Sequence, residues 1–233
     1  MNTDQRIRIL PRDLDIIALM PGIVGVARDA DLRLIWSTDW FGKRVQATIP
    51  ENKMVGSTLR DILTETGARE REEIHRRVME TNEVISHYQF SADMRVLCTI
   101  FPLDEEAFGH KGILAVIKDA PVNVRMNNEE DIRVLTSPNL GKLNALSQRE
   151  LEVLHYIAKG ITTSEIAEDL HRATKTIENH INAIHTKLGT TSRAELVRYT
   201  SERGIQSFTD EDWMSIVRGA KVARQEADEE TRG

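Results

Sequence analysis

Asn179 and Asn182 stand three residues apart, with Glu178 immediately before them and Lys175, Thr176 and Lys187 nearby. A carboxamide donates and accepts at once, so asparagine can pair through two hydrogen bonds with the edge of adenine. A glutamate can accept from the exocyclic amine of cytosine. The ammonium groups of Lys175 and Lys187 suit phosphate oxygens. Upstream, Thr162, Thr163 and Ser164 stand where a helix begins, and free N–H groups there can be offered to another phosphate. The chemistry of the set is recognition of base edges and backbone in duplex DNA.

Other chemistry is poorly supplied. No phosphate-binding glycine loop, nucleophile–base pair or pair of histidines four apart with a glutamate is present, so an enzyme is not expected. Cys98 is the single cysteine and lies in an apolar run. It reads as a packed core residue in a reducing compartment. His180 and His185 are five apart and point to different sides of a helix, which suits structural roles better than metal binding. No metal is expected.

The elements that must carry the DNA-reading residues are punctuated clearly. Ser147 and Glu150 form a capping box ahead of Leu151, Val153, Leu154, Ile157 and Ala158, and Gly160 ends that helix. Thr162 or Thr163 with Glu165 opens a second helix bearing Ile166, Ala167 and Leu170. After His171 to Thr174 comes a third, where Ile177, Ile181, Ile184 and Leu188 recur on one face. Gly189 stops it, and Ser192 caps a fourth helix packed by Leu196, Val197 and Tyr199. With the isoleucines inward, Lys175, Glu178, Asn179, Asn182 and Thr186 must face outward. A short helix, a tight turn and a longer helix is the geometry that enters a major groove.

LSQRELEVLHYIAKGITTSEIAEDL (146–170) followed by TKTIENHINAIHTKLGTTSRAEL (174–196) resembles the LuxR-type DNA-binding domain over about 60 residues. The resemblance implies that Glu178, Asn179 and Asn182 read bases, and that Lys175, Thr176 and Lys187 contact the backbone. Two positions depart from it. Glu178 stands where the family often has a basic residue, and Ala173 stands where serine is usual, which would leave Thr174 to cap the third helix.

The first 120 residues have a different texture. Gly22–Ala27 and Leu32–Trp36 flank a turn-forming stretch and predict a hairpin. Val84–Phe90, Val96–Phe101 and Gly112–Lys118 predict three more strands, with a polar loop around Asp104–Gly109. Between the two groups, Ser57 caps an expected short helix through Leu63. Ala68–Thr81 predicts a longer helix whose apolar stripe is Ile74, Val78 and Met79. The order gives an α+β domain with an antiparallel sheet. It resembles a PAS domain, notably at Pro21-Gly22-Ile23, at Val55-Gly56 before Thr58–Leu63, at Phe101-Pro102-Leu103 and in the strand Gly112–Asp119.

The fold class expected is thus an α+β PAS-like domain (14–120) and an all-α four-helix LuxR-type domain (143–204). A linker (121–142) joins them, and a C-terminal helix with an acidic tail (205–233) follows. The helix is expected over Thr209–Ala223 and disorder beyond Gln225. The resemblance implies a homodimer controlled by an unknown small-molecule or protein signal, with RNA polymerase as a further partner. The cofactor is unknown. Haem would need His75, but Arg71, Glu72, Glu73, Arg76 and Arg77 around it read as a solvated surface. Trp36, Trp40 and Phe41 suit core packing better than a ligand cavity. The flavin motif with a reactive cysteine, the βα alternation of a phospho-receiver and the larger acyl-homoserine-lactone domain are all missing.

Charge tempers this reading. Residues 143–204 hold 8 basic and 8 acidic residues, within a chain of formal charge −6. Non-specific affinity from phosphate neutralisation should be weak. The longest uncharged run, Ile16–Ala27, has 12 residues and contains Pro21, Gly22 and Gly25, too short for a membrane span. With no secretory signal, a cytoplasmic protein is expected. A sigma-like factor is the alternative, and it would need a helical N-terminal half.

Overall fold

The computed structural model describes residues 8–38, 53–120 and 132–230. Its strands are β1 (Ile23–Asp29), β2 (Leu34–Ser37), β3 (Ile85–Ser91), β4 (Met94–Pro102) and β5 (Gly112–Asp119). They form one antiparallel sheet in the order β2-β1-β5-β4-β3. Alternation along the strands divides their side chains between two faces. Val26, Ile100, Ile113 and Ala115 enter one apolar cluster, while Ala27, Leu103 and Leu114 enter another. The first cluster is closed by α2 (Glu65–Thr81) through Ile74, Val78 and Met79, the stripe its sequence predicts. The second is closed by α1 (Pro11–Ala18) through Leu14 and Ile17.

Several local expectations change. The helix α1 was not expected. Ser57–Leu63 forms turns instead of a helix, with Asp61 accepting from the Thr58 amide at 2.7 Å. The polar loop holds one helical turn, α3 (Glu105–Phe108), capped by Asp104. Trp40 and Phe41 lie outside the described residues, as does 121–131 of the linker. The rest of that segment is no spacer. Tyr88 N–H donates to Arg133, Leu135 N–H donates back to Tyr88, and Leu135 is fully buried.

The second half contains α4 (Gln148–Ala158), α5 (Thr163–Asp169), α6 (Thr174–Leu188), α7 (Arg193–Glu202) and α8 (Asp210–Glu230). The last opens with Thr209 and Asp212 bonded reciprocally, as predicted. It then runs on through most of the stretch expected to be disordered.

Both halves share side chains. Phe90 of β3 meets Phe208 and Trp213 edge-on, with centroids 6.1 and 5.7 Å away, inside the apolar cluster of the C-terminal helices. The β3–β4 hairpin turns on Ala92 and Asp93, both left-handed (φ 51° and 58°), as a two-residue turn between twisted strands requires. Asp93 then accepts from Tyr199 of α7 and from Arg203, the residue just past its end, at 3.2 and 3.1 Å. On the other side Gly219 of α8 lies so close to Thr136 that a Cβ there would sit 1.7 Å from its carbonyl oxygen.

Candidate nucleic-acid interface

Three caps set the C-terminal helices. Ser147 and Glu150 close a reciprocal capping box on α4, and Thr162 with Glu165 closes another on α5. Ser192 accepts from the Glu195 amide at the start of α7. The turn between α5 and α6 is tight because His171 takes a left-handed conformation (φ 51°). Ala173 occupies the N-cap of α6 with no side-chain bond. Thr174 is the first helical residue, so the cap expected from it does not form.

On α6, Ile177 and Ile184 are fully buried, while Ile181 and Leu188 are half-buried against the same cluster. That stripe leaves Lys175, Glu178, Asn179, Asn182 and Thr186 exposed, on the face the periodicity assigns to them. Thr176 is half-buried at the edge of this face, and Thr186 hydroxyl donates to the Asn182 carbonyl at 3.0 Å. Thr162 and Ser164 are exposed at the start of α5, with Thr163 half-buried between them. The Thr162 hydroxyl donates to Glu165 at 2.6 Å, so it is engaged in its own cap.

Two contacts change how the cations stand. Lys175 is paired with Glu178 at 3.1 Å, so the first charge on the face is offset by its neighbour. Lys187 donates to Glu150 at 2.7 Å, where the Glu150 side chain is only 7% exposed. Burial opposes ionisation of Glu150. The Lys187 ammonium and the Ser147 amide outweigh it and hold the carboxyl below its ordinary range. Lys187 therefore ties α6 to the cap of α4, a link between residues 37 apart that no local pattern displays.

The rest of the core is held by Trp213. Its indole N–H donates to the Leu151 carbonyl at 2.9 Å, and its ring stacks on His155 at 5.4 Å. Burial and Lys159 lower the His155 pKa to about 4 against the pull of Asp210. His185 bonds Thr190 at 2.8 Å, just past the end of α6. Among the described residues no group of three His, Cys, Asp or Glu is arranged to hold a metal. No helix there is long and apolar enough to cross a membrane.

The N-terminal half overturns one expectation. His75 is only 4% exposed, although Glu73, Arg76 and Arg77 beside it are exposed. Helical spacing turns it inward with Ile74 and Val78. Desolvation, with Arg28, His87 and Arg71 nearby, depresses its pKa well below 6.5. Cys98 is buried as expected, with its thiol pushed up to about 12 by burial.

Residues 144–200 match the family model "Bacterial regulatory proteins, luxR family". The oxygen regulatory protein NreC of Staphylococcus aureus (strain JH9) is 43% identical over 82 residues, 35% of this chain and 36% of NreC. The chain thus aligns with about a third of the length of the curated relatives it matches. Among solved structures, the Vibrio cholera VqmA–ligand–DNA complex aligns with 91% of this chain and 94% of that one, at 17% identity and TM-score 0.45. The PAS domain of Bordetella pertussis BvgS aligns with 48% of this chain and 85% of that one, at 16% identity and TM-score 0.32. A sigma-like factor is not supported, since the N-terminal half is built on a five-stranded sheet. The chain joins a five-stranded antiparallel sheet to a helix-turn-helix domain, and residues 144–200, which carry that domain, match the luxR family of bacterial regulatory proteins.

Proposed function

We propose that this chain is a sequence-specific transcription regulator that binds duplex DNA as a homodimer, with no catalytic activity of its own. The observation that carries the reading is the exposed Glu178–Asn179–Asn182 face of α6, fixed by buried Ile177 and Ile184. In this assignment those three side chains read base edges. Lys175, Thr176, Lys187 and the α5 terminus at Thr162, Thr163 and Ser164 hold the phosphates. Residues 143–204 form the DNA-binding unit, and the sheet domain over 14–120 receives the signal or joins the two copies.

The neutral charge of the unit makes fit, more than attraction, the source of affinity. Dimerisation is the natural remedy, because two half-sites add their base contacts. RNA polymerase would be met at the promoter. The test is selection of bound sequences from random duplexes by the full chain, with the mass of the complex measured in parallel. A pseudo-palindrome with half-sites about one helical turn apart, bound by two copies, is expected. Enrichment of no sequence refutes the reading.

A further inference from the structure

A cavity of about 570 Å³ opens between α2, the sheet and α8. Its volume lies in the range that takes small organic molecules. Two features distinguish it from a packing defect. First, its buried polar groups are incompletely satisfied: Arg28 Nη2, His75 Nδ1 and both ring nitrogens of His87 have no hydrogen-bond partner. Arg28 and His87 are each only 1% exposed, so these atoms are largely cut off from solvent. Gln89 lies beside His87 on the same wall, where it accepts from Arg71 at 2.8 Å.

Second, the charge is one-sided. Arg28, Arg71 and Arg224 line the cavity, and no carboxylate does among the described residues. Arg28 and Arg71 are held by neutral acceptors, Arg28 by the Leu32 and Ser57 carbonyls and Arg71 by Gly67, Gln89 and Ser137. The nearest acids are occupied elsewhere. Asp29 accepts from the Asp31 and Arg33 amides, Asp61 from Thr58, and Glu70 from Thr136 and Ser137. None is ion-paired with either arginine. The two imidazoles, kept neutral by burial and by these cations, cannot compensate them. Buried Arg28 feels Asp29 and Asp61, and half-buried Arg71 feels Glu70, only through space, so a bound anion in direct contact would add charge-assisted hydrogen bonds that neither has. The remaining wall, including Val26, Leu59, Ile62 and Ile117, is apolar.

We propose that this cavity binds a small organic carboxylate with an apolar body, its charge met by the guanidiniums of Arg71 and Arg224, with Arg28 adding positive field from within the wall. Arg224 gives the site a direct route to the DNA-binding helices. It donates to the carbonyls of Asn144 and Leu146 at 3.1 and 2.9 Å, just ahead of the α4 cap. An anion that draws on Arg224 weakens those two bonds and loosens the anchor of α4.

The full chain, without DNA, is titrated calorimetrically with sodium benzoate and sodium hexanoate, and with benzamide and hexanamide as uncharged counterparts. At least one carboxylate should bind about tenfold or more tightly than its amide. Binding should also speed amide hydrogen exchange over residues 141–150. Arg71→Gln should reduce carboxylate affinity about tenfold while leaving the amide unchanged, and if that variant does not fold, Arg224→Gln is read the same way. Equal binding of acid and amide, or no binding of either carboxylate at millimolar concentration, overturns the proposal. So does a stoichiometric haem or flavin in the absorption spectrum of the purified chain. Binding with unchanged exchange at 141–150 overturns the link through Arg224. Because DNA is absent, none of these outcomes bears on the assignment of α6.

Discussion

Gly219→Ala is a substitution for which local and tertiary effects have opposite signs. In an isolated helix, alanine is favoured over glycine by about 1 kcal/mol. Docked as it is here, the added methyl would sit 1.7 Å from the Thr136 carbonyl oxygen and 2.8 Å from its carbon. That is about 2 Å short of ordinary contact, and the obstacle is backbone instead of a flexible side chain. A clash this close with backbone falls at the upper end of overpacking costs, about 2–3 kcal/mol. The net expectation is a loss of about 1–2 kcal/mol, or a drop of roughly 2–8 °C in Tm for a chain of this size. The helix should survive in circular dichroism, while Trp213 fluorescence and hydrogen exchange along α8 report a shifted seat. A Tm that rises, with α8 protection intact, would refute the close approach of α8 to the 132–140 segment.

Four further outcomes are expected. Asn179→Ala should cost ~1–3 kcal/mol against the selected site at one base position and little against random DNA; competition binding with single-base variants reads this, and unchanged preference would misplace the reading face. Glu178→Gln frees Lys175 from its 3.1 Å partner, so non-specific affinity should rise and the salt dependence steepen by about one phosphate contact. For Glu150 and Lys187, a double-mutant cycle of Glu150→Gln and Lys187→Met in urea should give a coupling of about 1–2 kcal/mol, discounted because the lysine is 36% exposed; a coupling near zero would remove that pair as a positioning device for α6. Finally, His155 has a folded pKa of about 4 against 6.5, so the native state binds fewer protons than the unfolded chain between those values. Its contribution is whole above pH 6.5 and lost as pH falls towards 4, by roughly 3 kcal/mol. His155→Phe, which keeps the stack on Trp213, should flatten that acid limb in denaturation curves.

The C-terminal helices were legible because their signals are local. Ser147 with Glu150, Thr162 with Glu165, and Ser192 each lie within one turn of the groups they bond. The isoleucine spacing of α6 then fixed which side faces outward. The five strands were legible for the same reason, as apolar runs between turn residues. What escaped depends on distant partners. His75 is surrounded in sequence by Glu and Arg, and only the sheet above α2 shows that its side points into a cavity. Arg28 closes a strand beside Asp29 and reads as surface, yet the Ser57 loop buries it. Lys187 was readable as a cation but not as the partner of Glu150. The length of α8 was missed because its last turns are acidic, and composition alone does not reveal that Arg224 and Glu226 find partners in other elements.

Phe90 gives the molecule a property that a sheet joined to a helical bundle by a tether would lack. Its ring belongs by sequence to the sheet and by packing to the bundle, where Phe208 and Trp213 close around it. A chain built this way should melt as a single calorimetric event, since neither half can open without exposing the same aromatic cluster. It also resists domain exchange. A foreign sensor grafted at residue 140 would leave an empty socket between Phe208 and Trp213.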